Sequence, residues 1–446
     1  MLTMTDLFAG AGGSSSGAVQ TPGVVVRLAA NHWPLAVETH SSNHPNTDHD
    51  CADLSQVDPR RYPTTDLLWA SPECTNHSVA RGRRRDVDAT PDLFGEILPD
   101  EAADRSRATM WDVVRFTEHH RYRAIIVENV VDAARWILFP AWLSAMTALG
   151  YQYRTVYLNS MHARAGGDPA PQSRDRLYVV FWRRGDHTPD LDRWTRPTVW
   201  CPTCDRTVSA VQAWKNPARA WGRYRAQYLW RCPSTRCRNT IVEPDWLPAA
   251  TAIDWNLRGQ RIGDRTKPLA PKTIARIEAG LAKFAGSLLV PVEGRDGKTA
   301  QPTRAPMRTR TARSETAVLV PYYGNGTPRA TSAAHGTMTT RDRWAMVVPL
   351  RNHNTAKSVH EPLDTIAAAG NHHGLTIPAA RVEDCEFRML EPYEIKQAMA
   401  FDRDYLMLGT RREQVRLAGN AVTPPAARDL VGAVAEALGH HASTAA

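Results

Sequence analysis

The amino-acid sequence predicts an α/β protein with a doubly wound, mostly parallel sheet into which an irregular, β-rich region is inserted. Strand-like and helix-like segments alternate over residues 1–185, and helical periodicity returns over residues 386–446. Such alternation is typical of βαβ units, whose parallel strands are covered by helices on both faces. Residues 186–385 differ, because they are rich in Pro, Trp, Arg and Thr and show little helical periodicity. We therefore expect a domain over 1–185, an inserted domain over 186–385 and a C-terminal segment that returns to the first domain.

The alternating segments supply the elements of the sheet in order. A strand, a glycine-rich turn and a helix are predicted in "MTDLFAGAGGSSSGAV", and further strands in "GVVVRLAANHW", "CADLS", "TTDLLWAS", "AIIVENV" and "RLYVVFW". Helices are predicted in "RATMWDVVRFTEHH" and "FPAWLSAMTALGY". Ligands bind beyond the carboxyl ends of the strands in sheets of this kind. Cys74 directly follows the strand "TTDLLWAS", so we expect its thiol at that edge.

Two long segments lack this periodicity. The charged stretch 79–105 contains Arg83, Arg84 and Arg85, and it is either a lid over the predicted ligand edge or a plain surface insertion. Within 286–380, similar tetrapeptides recur about every 29 residues and end at Pro291, Pro321, Pro349 and Pro378. Recurrence of this length predicts repeated strand-turn units.

The composition favours a nucleic-acid partner. The net charge is +9, the pI is about 9.3, and only seven of the 55 basic residues are Lys. Arginine suits phosphates and guanine edges, although a GC-rich genome would also favour Arg codons. We expect a cytoplasmic protein with no membrane contact, because no apolar run approaches the roughly 18 residues of a membrane span and no export signal is recognisable.

Four of the seven cysteines form a pattern typical of a structural zinc site. "CPTC" contributes Cys201 and Cys204, and "CPSTRC" contributes Cys232 and Cys237. The alternative is four free thiols in a reducing compartment. We place the zinc module at about 198–245, and its intervening segment "NPARAWGRYRAQYLWR" mixes Arg with aromatic residues as nucleic-acid contacts do. Turns in the repeats, such as "MTTRDR" and "GNHHG", are further candidates for DNA contact, or simply polar surface.

The glycine-rich turn predicts a binding site for an anionic or polar ligand. Gly10, Gly12 and Gly13 let the backbone approach a ligand where a strand gives way to a helix. Trp33 and Asp53 follow two further predicted strands and suit an adenosine, one by stacking and one by accepting a hydrogen bond. Taken singly, Trp33 could instead be a core residue and Asp53 a helix cap.

Together these segments resemble the C5-cytosine DNA methyltransferases. The motifs that carry the resemblance are "DLFAGAGG", "PECTNHS", "VENV", "QSRDRLYVV", "RMLEPYEIKQAMAF" and "LAGNAVTPP", in the order the family has them. They cover about 1–185 and 386–435, so the inserted region falls where the family has its target-recognition domain. The resemblance implies an S-adenosylmethionine site made by Asp6, Phe8, Ala9, Gly10, Gly12, Gly13, His32, Trp33, Asp53, Leu54, Pro72, Asn420 and Val422.

The resemblance also implies the chemistry. Cys74 matches the nucleophile that adds to C6 of a flipped cytosine, Glu128 the residue that meets N3 and the amino group, and Arg176, with Arg174 beside it, the residue that reaches the O2 edge. The implied partner is double-stranded DNA, with the protein as a monomer and a cognate restriction enzyme as a possible second partner.

Four positions depart from the family pattern. Glu73 and Thr75 flank the predicted nucleophile, His32 replaces a ribose-binding acid, and Ala400 replaces a glycine before Phe401. Three alternatives therefore stay open: an enzyme that adds a different group by the same mechanism, a relative that acts on RNA, and a non-catalytic DNA-binding protein.

Overall fold

The computed structural model describes residues 1–72, 100–284, 317–318, 346–349, 373–376 and 382–439. The N-terminal region contains seven strands: β1 Leu2–Leu7, β2 Val24–Asn31, β3 Asp48–Cys51, β4 Leu67–Ala70, β5 Ala124–Asn129, β6 Tyr151–Asn159 and β7 Asp175–Arg183. Its helices are α1 Gly13–Val19, α2 Pro34–Asn43, α3 Asp100–His120 and α4 Phe139–Ala148. Short 3₁₀ helices occupy Leu54–Gln56, Pro59–Arg61, Val131–Arg135 and Ser160–His162.

These strands form one sheet in the order β3-β2-β1-β4-β5-β7-β6. The five strands from β3 to β5 run parallel, and β7 is antiparallel to both β5 and β6. The predicted doubly wound, mostly parallel sheet is therefore confirmed. Its carboxyl edge brings together the ends of β1, β2, β3, β4 and β5.

The buried strands alternate their side chains between two cores. Leu68, Ile125 and Val127 pack on the face covered by α3 and α4. Trp69 and Ile126 belong to the core on the opposite face, which contains α1 and residues of the last helix. Because β4 and β5 are buried on both faces, they read as continuous apolar runs in the sequence.

The region after β7 is built from short elements. Helix α5 spans Leu191–Thr195, and two hairpins follow, β8 Thr198–Cys201 with β9 Arg206–Ser209 and β10 Val211–Trp214 with β11 Tyr228–Arg231. A five-stranded sheet contains β12 Gln260–Arg261, β13 Ala317–Val318, β14 Met346–Pro349, β15 His373–Thr376 and β16 Glu386–Met389, in the order β12-β16-β13-β15-β14. Helix α6, Pro271–Phe284, lies between β12 and β13 in the chain. Strands β13, β14 and β15 coincide with or overlap three of the four recurring tetrapeptides, and the one ending at Pro291 lies outside the described residues.

Three helices close the chain: α7 Pro392–Ala398, α8 Arg411–Asn420 and α9 Pro424–Ala437. Helix α9 packs so tightly on α1 that a Cβ added at Gly17 would overlap the carbonyl oxygen of Pro424. The C-terminal segment thus returns to the first helix of the sheet. Within the described parts of the chain, we find no helix with the length and apolarity needed to cross a membrane.

Candidate active site

The glycine-rich turn connects β1 to α1 through left-handed backbone. Phe8, Gly10 and Gly12 have φ values of 60°, 56° and 85°. Gly13 is constrained differently, because a Cβ there would overlap the carbonyl oxygen of Val422. The turn therefore needs glycine at position 12 for its conformation and at position 13 for contact with the C-terminal segment.

Asp6 anchors the start of α1 from beneath this turn. Its Oδ2 accepts hydrogen bonds from the hydroxyls of Ser14 and Ser15, both at 2.6 Å. Burial raises the pKa of Asp6 to about 6. The other carboxylate oxygen, Oδ1, is buried and has no hydrogen-bond partner among the residues that the structure describes. An orphaned acceptor below the turn suits a ligand or water that donates a hydrogen bond there.

The residues assigned to the adenosine lie at the ends of β2 and β3. His32 is exposed, and Trp33 begins α2 with the Arg416 guanidinium 4.4 Å from its ring centroid. Asp53 accepts from the backbone N–H of Ser55 at 3.1 Å, so its side chain is a helix cap as well as an exposed carboxylate. Leu54 is 2% exposed and packs in the core, which leaves only its backbone for a ligand.

The start of the predicted nucleophile loop is held by Asn129. The side-chain N–H of Asn129 donates to the carbonyl oxygen of Pro72 at 3.4 Å, and its side-chain oxygen Oδ1 accepts from the N–H of Val130 at 2.8 Å. Pro72 is buried at the end of β4. Cys74 and its neighbours Glu73 and Thr75, with the predicted arginine-bearing lid, lie outside the described residues.

Glu128 and Arg176 form an ion pair between adjacent strands β5 and β7. The distance from Arg176 Nε to Glu128 Oε1 is 2.8 Å, and the side chains are 12% and 11% exposed respectively. Arg176 Nη1 also donates to the carbonyl oxygen of Asp175 at 3.0 Å. The pair places an acid and a fixed guanidinium fork side by side near the carboxyl edge of β5, a combination that can hold the polar edge of a planar heterocycle.

Arg174, which the sequence analysis grouped with Arg176, contacts the C-terminal segment. Its side chain is 2% exposed, and Nη2 donates to the carbonyl oxygens of Gly419 at 3.1 Å and Ala421 at 2.9 Å. These bonds attach the end of α8 to the sheet. Arg174 therefore has a structural contact with the C-terminal segment, and its assignment to the site beside Arg176 stays a prediction.

The C-terminal motif lies beside the glycine-rich turn. Asn420 ends α8 with an exposed side chain, and Val422 is buried against Gly13. The next residue, Thr423, shares a hydrogen bond of 2.7 Å with the hydroxyl of Ser160. Residues at the two ends of the chain thus meet around one turn.

Residues 2–199 match the family model described as C-5 cytosine-specific DNA methylase. Over that region the chain is similar to this family. Among curated relatives, the type II methyltransferase M1.ScrFI of Lactococcus lactis subsp. cremoris is 27% identical over 185 residues, which is 41% of each chain. The type II methyltransferase M.Bsp6I of a Bacillus species is 31% identical over 189 residues, 42% of this chain and 54% of the relative.

The match to these type II methyltransferases is thus confined to part of each protein. The chain spans about half the length, or less, of the curated relatives named above. Two solved structures are alike over almost the whole chain at 12% identity: the Entamoeba histolytica methyltransferase EhMeth, with a TM-score of 0.50, and S. pombe Dnmt2, with 0.51. Each alignment covers 98% of this chain and 99% of the other. These likenesses support the methyltransferase fold.

The four cysteines that follow the sheet converge. The Sγ atoms of Cys201, Cys204, Cys232 and Cys237 all lie within 4.8 Å of one another, with Cys201–Cys237 at 4.0 Å and Cys204–Cys232 at 3.9 Å. Four thiolates around a tetrahedral zinc, with bonds of about 2.3 Å, have sulfurs about 3.8 Å apart. The donor set and its spacing fit a structural zinc ion. Cys51 is exposed and Cys385 is buried in another core.

Part of the segment between the cysteine pairs is buried, although residues 215–220 are exposed. Tyr224, Tyr228 and Trp230 are 7%, 0% and 2% exposed. They pack in the same core as the sheet. Tyr224, Tyr228 and Trp230 are therefore interior residues, and DNA contact by the exposed residues of this segment stays a prediction.

Proposed function

We propose that the protein is a DNA methyltransferase that transfers a methyl group from S-adenosylmethionine to C5 of cytosine. The observation that carries the proposal is the Glu128–Arg176 ion pair, near the same sheet edge as the glycine-rich turn in a chain similar to the C5-cytosine methylase family. The pair can bind a pyrimidine edge, and the turn can bind a cofactor. One edge of one sheet would then bring the two reactants together.

The proposed cofactor site lies at this edge of the sheet. The turn from Asp6 to Gly13 would contact the methionine end of S-adenosylmethionine, and the ends of β2 and β3 would contact its adenosine. The orphaned Oδ1 of Asp6 and the Trp33 ring fit such a ligand. When bound, S-adenosylmethionine supplies an electrophilic methyl group. Asn420 and Val422 would close the site from the C-terminal side.

The reaction proceeds on a cytosine flipped out of the duplex, because its C5 and C6 are inaccessible within the base stack. The Cys74 thiolate adds to C6, and Glu128 meets N3 and the amino group so that the negative charge that develops on the ring is neutralised. Arg176 donates to O2. C5 would then accept the methyl group, whose bond to the sulfonium sulfur breaks so that S-adenosylhomocysteine leaves; a base would remove the C5 proton, and the thiolate would leave C6 as the ring double bond re-forms.

In the free protein, the guanidinium of Arg176 is paired with the Glu128 carboxylate that the pyrimidine would contact. A bound cytosine must therefore share or replace the bond from Arg176 Nε to Glu128 Oε1. The fork geometry of Arg allows this, since one nitrogen can keep the carboxylate while another turns to the base. Binding would then align both residues on the ring.

Double-stranded DNA is the proposed partner, consistent with the net charge of +9. The relatives' names as type II methyltransferases suggest that a cognate restriction enzyme is a second partner to look for. We propose a monomeric cytoplasmic enzyme and a structural zinc at the cysteine cluster. The inserted region 186–385 is the proposed target-recognition domain.

The test is the composition of DNA from cells that express the protein. Mass spectrometry of nucleosides should find 5-methyldeoxycytidine in DNA, and bisulfite sequencing should give its sequence context. Cys74→Ser should abolish the product, whereas Cys385→Ala, a thiol removed from another core, should not. A different added mass would favour the enzyme that appends another group, modified RNA would favour the RNA-directed relative, and no product in either polymer would contradict the proposal.

A further inference from the structure

The zinc module, residues 198–245, is docked on the sheet through the segment between its cysteine pairs. Trp230 Nε1 donates to His162 Nδ1 at 3.1 Å, and the rings of Tyr224 and His162 meet edge to face with centroids 4.6 Å apart. Gln212 donates to the carbonyl oxygen of Tyr157 at 3.0 Å. His162 follows β6 and is 1% exposed. The module therefore shares a buried interface with the sheet.

A continuous chain of hydrogen bonds runs from this interface to the candidate active site. The backbone N–H of Tyr224 donates to Asp175 Oδ1 at 3.0 Å. The carbonyl oxygen of Asp175 accepts from Arg176 Nη1 at 3.0 Å. Arg176 Nε then contacts Glu128 at 2.8 Å. Each link holds the next, so the position of the Tyr224 backbone bears on the orientation of the Arg176 guanidinium.

A second contact joins the module to the other strand of the pair. Arg223 forms a salt bridge with Asp132, whose side chain is 9% exposed. Asp132 lies in the 3₁₀ helix that directly follows β5, the strand that carries Glu128. In the same helix, Arg135 lies 5.9 Å from the ring centroid of Trp221. Adjacent residues of the module thus contact Asp175 at the start of β7 and the 3₁₀ helix that follows β5.

The turn that makes these contacts is fixed from within the module. The N–H of Arg223 donates to Gln227 Oε1 at 2.7 Å, and the N–H of Gln227 donates back to the carbonyl oxygen of Arg223 at 2.8 Å. Gly222 has φ +139°, a conformation that L side chains rarely adopt. Strand β11 then leads directly into Cys232, so the cysteine cluster fixes the strand that follows the turn.

We propose that the zinc module is a positioning element of the active site, in which Tyr224 and Asp175 orient Arg176 against Glu128 while Arg223 fixes the end of β5. This inference rests on the proposed function of the Glu128–Arg176 pair. Asp175 and Arg223 are positioning residues, because they act on the reacting base only through Arg176 and Glu128. The module is thereby part of the catalytic framework as well as of the recognition region.

The test uses Asp175→Ala, Asp175→Asn and Arg223→Ala in the full chain. Asparagine keeps an acceptor for the Tyr224 amide, whereas alanine removes it. The probe is a duplex that contains 5-fluorocytosine in the methylated sequence found by bisulfite sequencing, with S-adenosylmethionine present. We expect Asp175→Ala to slow covalent trapping by about tenfold or more, with the KM for S-adenosylmethionine little changed and most of the rate restored in Asp175→Asn.

Arg184→Ala is the control, since Arg184 is exposed beyond the end of β7, outside the segment between the cysteine pairs, and should trap the duplex at the wild-type rate. Arg223→Ala removes a partly exposed side chain and should slow trapping even if Asp175→Ala does not fold. Zinc content and circular dichroism are measured for every variant. Wild-type trapping rates in folded, zinc-loaded Asp175→Ala or Arg223→Ala would overturn the positioning role alone. Absence of trapping by the wild type would overturn the proposed function and this inference with it.

Discussion

Gly13 and Val422 lie in direct contact, with the carbonyl oxygen of Val422 in the space that a Cβ on Gly13 would take. One residue begins the first helix and the other precedes the last, so this contact closes the sheet region around the glycine-rich turn. Tyr405 adds a second link, because its hydroxyl donates to the carbonyl oxygen of Ala11. The turn is therefore held from the C-terminal side as well as by its own strand.

Gly13→Ala should disrupt this closure. The added methyl group meets backbone rather than a flexible side chain, so the two segments must move apart, at a cost of about 2–4 kcal/mol in the free energy of unfolding. S-adenosylmethionine binding should weaken in parallel. Denaturant unfolding and calorimetric titration measure the two effects. Gly150→Ala is the control, since Gly150 has φ +95° with open space around it and should lose only the conformational term of about 1 kcal/mol.

Glu128→Gln tests the acid of the ion pair. Glutamine keeps the size of the side chain but cannot transfer a proton to N3, so kcat should fall by about 10² to 10³ while S-adenosylmethionine binding stays near the wild-type value. Methyl transfer to DNA from labelled cofactor gives the rate. Glu118→Gln, on the exposed surface of α3, should be neutral in the same assay. An unchanged rate in Glu128→Gln would remove the proposed role of this carboxylate.

The sequence predicts the centre of the sheet better than its edges. Strands β4 and β5 are buried on both faces and therefore read as unbroken apolar runs. Strand β6 was not predicted, because it is an edge strand with exposed and polar residues in its first half. Helix α2 was also missed, since its amphipathic pattern is weak. Strand β3, "DHDC", ends at Cys51, so the strand expected at "CADLS" is wrong by a few residues.

The candidate site was predictable where a residue type is dictated by chemistry, and less so where packing decides. The four cysteines could be grouped by spacing alone, and they converge as that grouping requires. The sequence could not separate Arg174 from Arg176, because burial beneath Gly419 and Ala421 depends on segments far apart in the chain. Nor could the sequence reveal that the zinc module docks on the sheet, because a segment rich in aromatic residues can lie either on a DNA-binding surface or in a core.

Asp6 predicts a pH dependence of stability. Its pKa is raised from 3.8 to about 6 in the folded protein, so the folded state holds a proton there that the unfolded state releases at lower pH. Its stabilising contribution is therefore complete below pH 4 and is lost as the pH rises through about 6. A shift of about two units corresponds to about 3 kcal/mol.

Asp6→Asn should remove this dependence. The difference in unfolding free energy between the wild type and Asp6→Asn should become less favourable to the wild type between pH 4 and pH 7, by up to about 3 kcal/mol. Urea unfolding at several pH values measures it. Asp190→Asn, which changes a carboxylate that caps a surface helix, provides the comparison. A difference that stays flat across this range would show that Asp6 titrates normally.

Zinc binding predicts one metal ion per chain. Metal analysis of the purified protein should find one zinc, and Cys232→Ser should lose it because three thiolates no longer close the tetrahedron. Chelation should lower the melting temperature, since metal-binding free energy contributes to the folding of such modules. Cys385→Ala removes a thiol that lies in another core, so this variant should keep its zinc. Full zinc content in Cys232→Ser would show that the cluster is not the metal site.

Ala400→Gly should stabilise the protein. Ala400 follows the end of α7 and has φ 61°. The N–H of Ala400 donates to the carbonyl oxygen of Gln397, and the N–H of Phe401 donates to the carbonyl oxygen of Lys396. This is a helix end that favours glycine, because a Cβ in left-handed backbone costs about 1–2 kcal/mol. Glycine loses more entropy on folding, by about 0.5–1 kcal/mol, so a net gain of about 0.5–1 kcal/mol remains. Thermal unfolding should show a higher melting temperature for Ala400→Gly than for the wild type. Ala400→Val should show a lower one, because its branched side chain adds to the strain. The reverse order would mean that this helix end is not held in the left-handed conformation.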